Sequence, residues 1–164
     1  MRRKKPRFIG VASVLVMLAL VSAASAAELS RDEYVARAEP VCKANTEANR
    51  RIFKGAKGQV KAGELKQAST HFARAATALA KTVKQLSGIP QPATDEAKLG
   101  KWLGYLGQEQ GLLGKIGKAL AKEDKAQAQS FSVRLNRNSN LANNTVLAFG
   151  FEYCRIDPSR FTAK

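Results

Sequence analysis

From residue 30 onward apolar positions recur every three or four residues, the period of one helix face. Four such segments follow one another. The first opens at Ser30-Arg31-Asp32-Glu33, a capping box with Ser30 as N-cap and Glu33 reaching back. Its seam is Tyr34/Val35, Ala38, Val41/Cys42, Asn45, Ala48 and Ile52, and the region of Gly55 and Gly58 ends it. The second runs over about 62–86, with the heptad-like seam Leu65, Ala68, Phe72, Ala76, Leu79, Val83 and Leu86. Ser87-Gly88-Ile89-Pro90-Gln91-Pro92 breaks the pattern. The third is capped at Thr94-Asp95-Glu96 and continues through Leu99, Leu103, Leu106, Gln110, Leu113, Ile116 and Leu120. Asp124 caps the fourth, with Gln127 three residues on and the seam Phe131, Leu135, Asn138, Ala142, Thr145 and Phe149.

Four amphipathic segments of similar length with short connections predict an all-α fold, an up-down-up-down four-helix bundle. The ending Phe149-Gly150-Phe151-Glu152-Tyr153-Cys154 breaks the helical period. Phe149, Phe151 and Tyr153 alternate, which in an extended segment places them on one face. Gly150 stands where a helix would stop. The run therefore predicts a non-helical strap that turns at Gly150, climbs back along the first helix and buries Phe149 and Phe151 near the end of the bundle.

The first seven residues hold five basic side chains and no acid, an apolar run covers 8–21, and Ala24-Ser25-Ala26 fits a cleavage site. Residues 1–26 thus read as a signal peptide and 27–164 as one helical domain. The competing reading is an uncleaved anchor, since 8–27 is about long enough to span a bilayer. Arg2-Arg3 is followed by Lys4, Lys5 and Pro6 rather than an apolar pair, which favours the general secretory route over twin-arginine export. In an exported chain, the two cysteines Cys42 and Cys154 read as one disulfide, with free thiols or an intermolecular pair as the alternative.

Export changes the charge balance. The formal net charge is +15, and setting aside the five basic residues of the leader leaves 23 basic against 13 acidic, near +10. Such a balance predicts attraction to anionic polymers, lipid headgroups or another envelope protein. The most one-sided segment is 60–85, where Lys61, Lys66, Arg74, Lys81 and Lys84 face Glu64 alone.

Two patterns inside the helices invite a site. Every seam but the second is interrupted by an amide: Asn45, Gln110 and Asn138. With equal rise in antiparallel helices, and residue 55 facing 62, Asn45 falls level with about Phe72, then Glu109, then Arg137. Asn45, His71, Gln110 and Asn138 are therefore a candidate polar layer, either fixing helix register or holding a small polar ligand. In the third helix Gly100, Gly104, Gly107, Gly111, Gly114 and Gly117 form a stripe beside the leucine seam, at roughly 1 kcal/mol each relative to alanine. Close approach of a neighbouring helix or the strap would explain it, as would a groove for a ligand or a frayed helix.

Enzyme chemistry finds no support. One histidine cannot furnish paired Glu-x-x-His metal sites, no haem-attachment motif is present, and no glycine-rich loop follows a strand. Only His71 could serve Cys42 as a base. No cofactor is expected, and nucleic acid is disfavoured because aromatics are not interleaved with a basic stripe. Asn143-Asn144-Thr145 matches a glycosylation sequon but lies in a predicted helix.

The opening Tyr34-Val35-Ala36-Arg37-Ala38-Glu39-Pro40-Val41-Cys42, Trp102-Leu103 with Leu106, and the ending Phe149-Gly150-Phe151-Glu152-Tyr153-Cys154 resemble a group of small exported actinobacterial helical proteins with one early and one late cysteine. The resemblance implies fold and export and carries no activity. Many of that group look like lipoproteins, and this chain departs from them in lacking a cysteine at the cleavage site. The expectation is an exported, non-enzymatic bundle, secreted or extracytoplasmic, binding or supporting anionic partners at the cell envelope. The alternative is a soluble carrier or sensor of a small polar ligand.

Overall fold

The computed structural model describes residues 29–156, so the predicted signal peptide lies outside the described residues. Four long helices pack as an up-down-up-down bundle: α1 (Arg31–Ile52), α3 (Leu65–Ser87), α4 (Glu96–Ala121) and α5 (Lys125–Thr145). A short helix, α2 (Ala56–Ala62), lies in the first connection. α3 packs on α4 and α4 on α5 along much of their lengths, while α1 leans on α3 and the C-terminal turn. Among the described residues, no helix is long and apolar enough to cross a membrane.

The start signals act as expected at two helices. Ser30 Oγ accepts from the Glu33 N–H at 3.3 Å, and the Glu33 carboxylate accepts from the Ser30 N–H at 2.8 Å. The Asp124 carboxylate accepts from the Gln127 N–H at 2.9 Å. The start of α4 differs from the sequence reading. Ala93–Asp95 forms a 3-10 turn, and the Asp95 side chain caps nothing. Its buried carboxylate instead takes Arg31 in a two-point grip, Nε to Oδ2 and Nη2 to Oδ1, both at 2.8 Å. That bond holds the Asp95 carboxyl below its usual range. The Arg31 guanidinium also lies 5.0 Å from the Phe149 ring centroid, so one side chain joins the starts of α1 and α4 to the end of the chain.

The apolar interior divides along the bundle axis. The upper cluster gathers Tyr34, Ala38 and Cys42 of α1, Leu86 of α3, Leu99, Trp102 and Leu106 of α4, and Ala142 and Val146 of α5. Phe149, Phe151 and Cys154 complete it. The lower clusters join Leu65, Ala68, Ala75 and Leu79 to Leu113, Ile116, Ala119, Leu120 and Ala128.

The strap is fastened more densely than its sequence suggests. Leu147–Phe149 makes a 3-10 turn, and Gly150 then reverses the chain with φ +68°, a value that glycine adopts without strain. Phe151 stacks on Phe149 and on Trp102, with ring centroids 5.4 and 5.5 Å apart. Tyr153 does not join that face. It lies over α1 with Lys43 Nζ 5.5 Å from its ring, because 152–155 is bent rather than extended. The Cys42–Cys154 disulfide closes the strap on α1, joining residues 112 positions apart in sequence with Cα atoms 4.9 Å apart. Glu39, one turn before Cys42, accepts from the Glu152 N–H at 2.7 Å and the Tyr153 N–H at 2.9 Å. Asn143 clamps Ile156 from the other side, donating to its carbonyl at 2.8 Å and accepting from its N–H at 2.7 Å.

Candidate functional site

Directly below the upper cluster the interior turns polar. Asn138 is buried and donates to the Tyr105 carbonyl at 2.8 Å. Its neighbour Ser139 donates to Glu109, which is 3 % exposed. Removing that carboxyl from water lifts its pKa to about 7, against the Ser139 bond that lowers it. Glu109 therefore lies near the midpoint of its titration at neutral pH, inside the bundle. On α1 the Oδ1 atoms of Asn45 and Asn49 are buried and have no hydrogen-bond partner. They stand one turn apart and continue the row Tyr34, Ala38, Cys42 that enters the upper cluster.

Two members of the predicted layer are elsewhere. Gln110 is exposed, and Glu109 holds the interior place instead. His71 sits at the foot of α1, where Nδ1 bonds to the Ile52 carbonyl and Nε2 pairs with the Gln59 side-chain amide at 2.9 Å. The cause is α2: it fills the first connection, so Ile52 meets α3 at His71 rather than residue 55 meeting 62. Asn45, seven residues above Ile52, then lies about 10 Å up from His71. Glu109 and Ser139 gave no sequence signal as a pair. The one clue was that 109 and 110 fit the α4 seam equally well, and an amide is the commoner interior group.

The glycine stripe also differs from expectation. Only Gly117 is close-packed: a Cβ there would stand 3.1 Å from the Ser69 carbonyl and 3.4 Å from the Ala73 nitrogen. Gly100, Gly104, Gly107, Gly111 and Gly114 meet nothing within 4 Å. At 100° per residue those five fall on the side of α4 away from the core, and Gly117 drifts round toward α3.

The outside of α3 is a uniformly basic surface. This helix contains no Asp or Glu in its 23 residues. Lys66, Arg74, Lys81 and Lys84 are all exposed. Helical geometry puts them within about an 80° arc opposite Leu79 and Leu86, spread over about 27 Å. Lys66 has the distant Glu123 at 3.8 Å, an exposed pair of little energetic weight.

Cys42 is held in the disulfide. Among the described residues no group of three or more His, Cys, Asp or Glu side chains could hold a metal ion. No protein-family model, curated protein or solved structure shows significant similarity to the chain.

Proposed function

We propose that this chain is an exported, non-enzymatic helical module that binds an anionic polymer at the cell envelope. The observation that carries the reading is the outer face of α3, four exposed cations on a helix without a carboxylate. Their spacing suits successive charges of a linear polyanion, where attraction comes largely from displaced counterions. Export rests on the basic and apolar N-terminal residues, and a disulfide is compatible with an oxidising compartment. The test is co-sedimentation of the oxidised protein with purified envelope fragments at rising salt. Binding that falls steeply with salt supports the reading, and binding indifferent to salt removes its charge-driven basis.

A carrier or sensor role is the second reading, favoured by one feature: the two buried, unpartnered oxygens of Asn45 and Asn49. A small ligand with paired N–H or O–H donors would satisfy them. Native mass spectrometry of protein purified from its own source would reveal the added mass, and a bare polypeptide mass would remove this role.

A further inference from the structure

A second basic feature differs from the α3 face in shape. Between α4 and α5 lies a pocket of about 210 Å³ bounded by Gln108, Gly111, Leu112, Lys115 and Arg134. We infer that it is a seat for a single phosphate-type oxyanion. Its two cations come from different helices and converge on one ring. Lys115 Nζ is 5.8 Å and Arg134 Cζ 5.9 Å from the centroid of Phe131. The ring orders both stems, so less freedom is lost when they close on a ligand. Neither cation is paired with a carboxylate among the described residues, and no acid lines the pocket.

The donor set matches the ligand. The Arg134 guanidinium can take two oxygens of one tetrahedral anion, and Lys115 adds a point charge. Gln108 contributes a neutral N–H donor. Gly111 adds no side chain to the lining, and the space where its Cβ would stand is open, with nothing within 4 Å. Glu109 does not oppose the anion from within, because its carboxyl turns into the bundle toward Ser139. The volume suits a single phosphate group, free or as one diester link. This inference does not rest on the α3 face and can fail independently of it.

Free phosphate and a phosphodiester link within a polymer share this chemistry, and the test separates them. The oxidised protein is titrated at fixed ionic strength, first with inorganic phosphate and then with a short glycerol-phosphate oligomer, following amide shifts by NMR. Saturable shifts centred on Gly111 and Gln108 are expected. Lys115→Ala with Arg134→Ala should weaken binding at least tenfold, while Lys118→Ala with Lys122→Ala leaves it unchanged. Saturation with phosphate assigns the free ion, and saturation only with the oligomer assigns the diester. Shifts that never saturate with either, or that persist when Lys115 and Arg134 are both replaced, overturn the proposal. Unchanged thermal unfolding of both variants shows that a lost response reflects the site and not the fold.

Discussion

Replacing Glu109 by glutamine tests the polar interior quantitatively. In the unfolded chain this carboxyl titrates near its ordinary 4.5, and in the bundle burial raises it to about 7. The fold therefore keeps a proton that the unfolded chain releases. Stability from this group is fully present below pH 4.5, declines as pH rises, and is lost once pH passes the folded value. At ~1.4 kcal/mol per unit, that gap is worth about 3 kcal/mol across the window. The amide of the Glu109→Gln variant is near-isosteric with the neutral acid, and its carbonyl can still accept from Ser139. Urea unfolding of both proteins from pH 5 to pH 8.5 would give the difference, in which groups common to the two cancel. The variant should exceed the parent by about 1 kcal/mol at pH 5, and that advantage should grow to about 3 kcal/mol at pH 8.5. A difference that stays constant across the range would refute an interior carboxyl kept neutral by burial.

Other consequences concern how the chain is held. Replacing both cysteines by serine should cost about 4–5 kcal/mol in denaturant unfolding, the loop-closure entropy of a cross-link spanning over a hundred residues. Glu39→Ala should lower stability by about 2 kcal/mol, because a charged acceptor of two strap N–H groups is lost, and should speed proteolysis after Cys154. Gly104→Ala should raise stability by about 1 kcal/mol, since helix propensity improves and nothing is displaced. Gly117→Ala should lower the melting temperature instead, because its new methyl meets the α3 backbone at 3.1 Å.

The helical periods, the caps at Ser30 and Asp124 and the reversal at Gly150 were readable from the chain because each rests on local chemistry. The distribution of side chains across helices was not. α2 hides in Ala-Lys-Gly-Gln-Val-Lys-Ala, where a glycine lowers propensity, and it is bounded by Gly55 and Gly63 at φ +86° and +81°. Without α2, residue 55 would face 62 and His71 would fall level with Asn45; with it, His71 meets Ile52. Asp95 reads as an N-cap by position, yet the distant Arg31 claims its carboxylate. Gln110 reads as the interior residue because a lone interior acid is costly, and Ser139, which donates to Glu109, stands 30 residues away. Of the five asparagines that weaken α5 by propensity, Asn138 and Asn143 are explained by hydrogen bonds to Tyr105 and Ile156. Asn136, Asn140 and Asn144 are exposed, and nothing in the structure explains them.

The role proposed for α3 has a direct test in binding to a defined linear polyphosphate across a salt series. Lys66, Arg74, Lys81 and Lys84 would be changed together to glutamine in one variant. Arg50, Lys54, Lys57 and Lys125 would be changed to glutamine in a control of equal net charge. If the α3 face is the docking surface, the first variant loses most of the affinity and the slope of log affinity against log salt becomes shallower. The control should lose little. Equal losses in the two variants would mean that net charge alone attracts the polymer, and would contradict a binding face on α3.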